Sequence, residues 1–555
     1  MAGDVGARRG EPNLPKDCED KRDLRYGSSF LFGHFAHKRR LFMRTRMFAL
    51  VCCAASYYRP ALRAASTQQA LRMPRLAAAA APSRRGLVRM QGGGRVSAAV
   101  TQSQSGQHEP QDADAEPPPP KGVIDLNPPR GTRDFYPEDM ALQRWLFDAW
   151  RRVAAQHGFE EYDAPVLETE ALYIRKAGED VTQQLYSMED RSGRRLSLRP
   201  EMTPSLARMV LGRRNALPMP LKWFSIPQCW RYERMTRGRR REHYQWNLDV
   251  WGVEGLQAEA ELLSAAVTFC KSVGLTSTDV GIKISTRRVL SELLPTLGVP
   301  ADKFASTCVL VDKLDKLPAD EVRKTLLEQG LDETAAATLL STLALSSLEE
   351  LEKVLGPGSQ ALAELRSLFD LAEAYGLSEW LVLDLSVVRG LAYYTGVVFE
   401  GFDRSGELRA IFGGGRYDQL LGTFGGEDLP AAGFGFGDAV IVELLKVKGL
   451  LPAPRPNANA LLIGCSDEAL RPTAMAAAAA LRASGACVDL VLEAKKPKWV
   501  FKHADRIGVG YVALFDAREA DKGLVRVKRL TDAEQEEVPI AELPQWFAKQ
   551  TGAQR

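Results

Sequence analysis

The chain has 555 residues, 45% of them apolar, a length and composition that suit three or four globular domains. It contains no run of eighteen apolar residues, so no membrane span is expected, and its eight cysteines show no C-x-x-C pair, which argues against a zinc site or a disulfide framework. The net charge of +3 conceals an asymmetry: residues 1–108 carry +13 and the remainder −10, so any nucleic acid bound by the body must meet local basic patches.

Between Leu24 and His108 there is no Asp or Glu, while arginines recur among Ala and Ser, the composition of an organelle transit peptide. A coding bias toward alanine and arginine would leave a similar trace. The first twenty-three residues, with six acidic groups, fit a transit peptide less well, and Met43 or Met47 would make a cleaner start. Composition does not separate plastid from mitochondrion. A Gln-, Glu- and Pro-rich linker follows, so residues 1–122 read as transit peptide and linker.

The body opens with a helix after Pro137, its apolar stripe set by Leu142, Trp145, Leu146, Ala149, Trp150 and Val153 and its end by Gly158, followed by a short strand from Tyr162 to Pro165. In LSLRPEMTPSLARMVL a strand ends at Arg199-Pro200, with Glu201 and Thr203 at the start of a helix. A carboxylate and a hydroxyl there could bind an ammonium group; equally, Thr203 could cap the helix ahead of Pro204. Two aromatic-rich strands, Leu221–Trp230 and Tyr244–Val253, then flank a loop with Arg234, Arg237, Arg239, Arg240 and Arg241. Strand alternation allows Arg231, Gln245 and Asp249 to share one pocket, suited to a ligand with phosphate and amine character. A hairpin with a solvated basic loop is the alternative.

Residues 287–378 read as a leucine-rich helical block without a catalytic cluster. A buried strand, Trp380–Val388, then delivers Arg389 and Gly390 to a turn, followed by Tyr393 and Tyr394. Gly413, Gly414 and Gly415 permit close backbone approach to a ligand, with Arg416 beside them. After a proline-rich linker, strands and helices alternate as in a small, mainly parallel α/β domain. Its basic residues Lys495, Lys496, Lys498, Lys502 and Arg506 cluster at a helix start, as a nucleic-acid contact or as a solvated face.

The series PPRGTRDFYP, LRPEMTP, WRYERMTRGRRREHYQWNLDVWG and RGLAYYTG resembles the histidyl-tRNA synthetases among class II aminoacyl-tRNA synthetases, across nearly all of residues 125 to 545. The resemblance implies an α+β fold. An antiparallel-sheet catalytic domain would occupy 123–286 and 379–450, interrupted by the helical insertion at 287–378. An α/β anticodon-binding domain would span 458–555. It also implies roles at the matching positions. Arg231 and Arg389 would serve catalysis, holding the ATP α-phosphate and the histidine carboxylate. Glu201, Thr203 and Gln245 would bind the α-amino group, and Asp249, Tyr393 and Tyr394 the imidazole. Glu233 would contact adenine, with Arg239, Arg241 and Arg416 toward the phosphates. The implied reaction joins L-histidine to tRNA(His) using ATP and Mg2+, in a homodimer whose dimer-forming element is the opening helix and strand, for organellar protein synthesis. One departure stands out. The helix after AAGFGFG places Val440 where the family has an arginine for the ATP γ-phosphate, leaving Arg416 or Arg239 as substitute cations. That departure also keeps open a catalytically silent, histidine-binding regulatory relative as an alternative.

Overall fold

The computed structural model describes residues 124–174, 182–312, 314, 317–389, 391, 393–452 and 459–552. The transit-peptide and linker assignment for 1–122, and Gly390, lie outside the described residues.

Helix α1, Pro137–Gln156, buries Leu146, Ala149, Trp150 and Val153, as its periodicity predicts. Proline in its first turn costs no hydrogen bond, and the Tyr136 amide donates to Asp139 Oδ2 at 3.3 Å. Strands β1 (Glu160–Glu161), β2 (Leu167–Thr169), β3 (Tyr186–Glu189) and β4 (Arg195–Leu198) follow; β2, β4 and β3 form a small antiparallel sheet that leads into helix α2, Thr203–Arg213.

The predicted strand Leu221–Trp230 is two strands, β5 (Leu221–Ser225) and β6 (Gln228–Trp230), because Pro227 has no N–H for the ladder. Both pair antiparallel with the ten-residue β7, Glu242–Trp251. Helix α3 (Gln257–Ser272), strand β8 (Val280–Thr286) and helix α4 (Arg287–Thr296) come next. The inserted helices are α5 (Phe304–Val311), α6 (Ala319–Glu328), α7 (Glu333–Leu343), α8 (Leu348–Leu355) and α9 (Gln360–Ala374). Strands β9 (Leu381–Leu383), β10 (Val397–Asp403), β11 (Phe412–Arg416) and β12 (Ala431–Gly437) complete the sheet, followed by helix α10, Asp438–Val447. The sheet runs β1-β5-β7-β12-β11-β10-β8-β9, antiparallel except for a parallel pair at each edge, β1–β5 and β8–β9.

Period-2 alternation divides the roles of β7. Trp246, Leu248 and Val250 enter one continuous core with Trp150, Phe269 and Phe436, where the Trp150 and Trp246 rings stack at 5.9 Å. Gln245, Asn247 and Asp249 face the other way. The inserted helices contribute Leu326, Leu339 and Leu365 to that same core. Glu261 on α3 joins three elements, accepting from Lys222 Nζ at 2.7 Å and Tyr375 Oη at 2.6 Å and meeting His157 Nδ1 at 3.2 Å.

In the C-terminal region β13 (Leu461–Cys465), helix α11 (Arg471–Ala483), β14 (Val488–Leu490), helix α12 (Pro497–Ile507) and β15 (Tyr511–Phe515) follow the predicted alternation. Strands β14, β13 and β15 are parallel; β16 (Leu524–Arg529) and β17 (Gln535–Pro539) extend the sheet antiparallel, and the sequence reading does not single them out.

Candidate active site

The upper face of β7, β12 and β11 floors a cavity of about 150 Å³. Glycines make that floor possible. A Cβ on Gly413 would stand 2.3 Å from the Arg389 guanidinium carbon, and one on Gly435 2.2 Å from the Gln245 amide nitrogen. Side chains from neighbouring segments therefore lie flat on the strands.

Arg231, Gln245, Glu201, Thr203, Arg389, Tyr393 and Tyr394 line the cavity, as the sequence predicts; Asp249, expected with them, lies beneath the Gly433 floor and is not part of the lining. Thr203 is not the helix cap that it could have been. Helix α2 starts at Thr203 itself, the preceding Met202 caps without a side-chain bond, and the threonine side chain is left to the cavity. Arg231 donates from Nε to the Pro200 carbonyl at 3.0 Å, which fixes it across the start of α2.

Two carboxylates meet here with oxygens unused. Tyr393 Oη donates to Glu201 Oε2 at 3.0 Å, while Glu201 Oε1 is buried without a partner. Asp249 lies under Gly433, its Oδ1 accepting a short hydrogen bond from Tyr417 Oη and its Oδ2 buried without a partner. Burial pushes the Glu201 carboxyl above its ordinary range against the opposing pull of Arg231. It pushes that of Asp249 to about 7, against the Tyr417 bond.

Arg389 is held on both sides. Its backbone is left-handed, with φ 59°, an uncommon conformation for a residue with a Cβ. Its guanidinium pairs with Glu400 at 2.5 Å. Sequence reasoning missed the residue that shapes this turn. Arg287, the first residue of α4, is buried and donates to the carbonyls of Val388 (3.1 Å), Arg389 (2.6 Å), Leu391 (2.8 Å) and Tyr394 (3.1 Å). One planar guanidinium thus ties the turn at four points. Tyr417, Gln184 and Asn247 are further lining residues without a motif to mark them.

The loop after β6 divides its arginines. Arg239 forms a close ion pair with Glu233, and both line an adjoining cavity of about 270 Å³ with Gln183 and Gln184. Arg241 stacks 4.1 Å over the Tyr232 ring and packs its methylenes on Gly131, and it lines neither cavity. Arg133 anchors the opening PPRGTRDF segment by ion pairs to Glu242 at 2.7 Å and Asp438 at 3.0 Å.

The expectation for Arg416 fails. It is 3% exposed and points to the helix side of the sheet, where Nε and Nη2 each meet Glu259 at 2.6 Å and the carbonyls of Val253 and Gly255 and the Asp418 carboxylate take its remaining donors. It shares strand parity with Phe412, on the core side, so it reaches no ligand. In the C-terminal region Lys498, Lys502 and Arg506 are exposed at i, i+4 and i+8 on α12, beside an exposed Trp499. Lys495 pairs with Glu493 at 2.6 Å, and Lys496 caps the helix start.

The raised pKa of Asp249 has a direct consequence for stability. Between its ordinary value near 3.8 and about 7, the unfolded chain ionises this group and the folded chain does not, so folding stability falls over that window, on the order of a few kcal/mol in all. Asp249→Asn removes that loss. The variant should melt above the parent chain at pH 7.5 and close to it at pH 4; an equal gap at both values would show that Asp249 is ionised throughout.

A histidyl-tRNA synthetase family model matches residues 131–438, and an anticodon-binding-domain model matches residues 458–550. The chloroplastic/mitochondrial histidine–tRNA ligase of Arabidopsis thaliana is 56% identical over 420 residues, 76% of this chain and 86% of the relative. The histidine–tRNA ligase of Opitutus terrae is 41% identical over 74% of this chain and 95% of its own length. The crystal structure of histidyl-tRNA synthetase from Nostoc sp. PCC 7120 superposes with a TM-score of 0.64 at 25% identity, covering 77% of this chain and all of that one. Motif series, sheet order and family match agree: the chain belongs to the histidyl-tRNA synthetase family.

Proposed function

We propose that the glycine-floored cavity takes L-histidine between Glu201 and Asp249, and ATP on its arginine-rich side. The two unpartnered carboxylate oxygens carry this reading. A buried acceptor without a donor is costly, and a ligand with an ammonium group at one end and an imidazole N–H at the other relieves both. Glu201, Thr203 and Gln245 face the α-amino group in this reading, with Asp249, Tyr393 and Tyr394 around the imidazole. Glu233 and Arg239, which line the adjoining cavity, are assigned to adenine and phosphate.

The activity is ATP-dependent ligation of histidine to tRNA, and it serves an organelle. A histidine carboxylate oxygen attacks the α-phosphorus, the bond to the bridging oxygen breaks, and pyrophosphate leaves. Arg231 and Arg389 meet the charge that builds on the α-phosphoryl oxygens; both are fixed in advance, by Pro200 and by Glu400, so little reorganisation is needed. The terminal ribose hydroxyl of the tRNA then attacks the adenylate carbonyl and AMP departs. Neither step needs a protein nucleophile.

Magnesium has no cage of its own here. Among the described residues no three His, Cys, Asp or Glu converge, and Glu400 and Glu233 are each committed to an arginine. In this reading the ion arrives with the nucleotide phosphates. A homodimer is proposed from the resemblance of α1 and the strand after it to the family's dimer-forming element. The Lys498, Lys502 and Arg506 stripe beside Trp499 offers phosphate contacts next to a stacking surface, and is assigned to the tRNA. The regulatory alternative dispenses with an anticodon-binding domain, which this chain has.

Histidine-dependent exchange of labelled pyrophosphate into ATP tests the activation step, and no exchange by a folded chain that binds histidine would sink it. Arg389→Ala should slow exchange by at least about a hundredfold. Arg287→Lys keeps a charge but loses the fork that spans four carbonyls; kcat should drop roughly tenfold to a hundredfold, and the melting temperature should fall as well because buried carbonyls lose their donors. A Lys498→Ala/Lys502→Ala double variant should raise KM for tRNA severalfold in aminoacylation, less so at high salt, where phosphate contacts count for less in the parent too, and leave pyrophosphate exchange unaltered.

A further inference from the structure

Position 440 holds a valine that contributes no charge, and the structure removes Arg416 from the search for a replacement. The valine is buried, and one of its methyls would stand 3.2 Å from a Cβ on Gly238, in the loop between β6 and β7. That loop therefore covers the start of α10 directly. Across the same end of the sheet the chain enters β11. The Ile411 carbonyl accepts from the Gly437 amide at 3.3 Å, so the residues just before β11 adjoin the residues just before α10. Arg409 stands two residues upstream of that contact. Its side chain is exposed, and among the described residues it forms no ion pair or hydrogen bond; Glu400, the nearby acid, is taken by Arg389.

We propose that Arg409 is the cation that meets the outer phosphates of the nucleotide in this chain, completing with Arg231 and Arg239 a three-arginine cluster where position 440 supplies none. The proposal rests on the reading of the arginine-rich side as the ATP end. Arg239 pairs with Glu233, and its guanidinium feels the charges of both Arg409 and Arg231, while Glu400 is the carboxylate that acts on Arg409. Like charges gathered this way raise one another's energy, and partial desolvation, then Arg231, lowers the Arg409 pKa against the opposing pull of Glu400. Burial, then Arg409 and Arg231, lowers that of Arg239 to about 10. A triphosphate relieves that repulsion, and its β- and γ-groups supply the charge that an adenosine monophosphate lacks.

Calorimetric binding of ATP and of AMP to the full chain, with pyrophosphate exchange alongside, tests this. Arg409→Ala should weaken ATP binding and raise KM for ATP by about tenfold to a hundredfold, with AMP affinity and KM for histidine within about twofold of the parent. Arg409→Lys should fall between the two. ATP affinity unchanged in Arg409→Ala would overturn the proposal, and so would equal losses for ATP and AMP, or a joint rise of both KM values, since these mark a structural role. A parent chain that binds ATP without exchanging pyrophosphate would count against the enzymatic reading alone; the ATP-to-AMP comparison would still decide the role of Arg409.

Discussion

The register of β7 is the constraint on which the site depends. A slip of one residue would carry Gln245 and Asp249 into the aromatic core and push Trp246 and Leu248 into the cavity. The stacked Trp150–Trp246 pair and its Phe269 and Phe436 neighbours make that exchange prohibitive, because large aromatic surfaces would be returned to water. The hydrophobic side of the sheet thus fixes the polar side. Positioning of Gln245 and Asp249 is a by-product of core packing, reached without a dedicated scaffold.

The second support comes from ties between distant segments. Arg133 fastens the opening segment to the head of β7 and to α10, and Arg287 fastens the Arg389 turn to α4. Both are arginines serving structure, as is Arg416 beneath the sheet. Around the site the described arginines differ in kind: Arg133, Arg287 and Arg416 are saturated by carbonyls and carboxylates, whereas Arg231, Arg239 and Arg389 line the cavities. The saturated ones have no donor left for a phosphate.

That division explains what could be read in the sequence. Glu201, Arg231, Gln245 and Arg389 were legible because residue type, strand parity and motif spacing all pointed to one place. Arg416 was misread, although parity would have caught it: two residues after Gly414 and four after Phe412, it falls on the core side. Thr203 by itself had suggested a cap, since the local pattern of a hydroxyl before proline is the same for either role. Arg287 was not legible at all. Its partners are main-chain carbonyls about a hundred positions away, and no side-chain pattern records them. The helices of 287–378 read in sequence as a helical block without a catalytic cluster, and their leucines do pack on neighbours, entering the core under the sheet; amphipathic periodicity tells which face is buried but not against what.

The glycines under the cavity set a limit on how this part of the molecule can vary. Most positions in a protein admit some conservative exchange, but every replacement for glycine brings a Cβ, and over Gly413, Gly433 and Gly435 that atom would overlap Arg389, Asp249 or Gln245. No exchange there is conservative. Drift in β11 and β12 is therefore confined to core positions such as Phe412, Phe434 and Phe436, where one hydrophobe can stand for another, and new substrate preferences have to come from the loops and helices around the cavity.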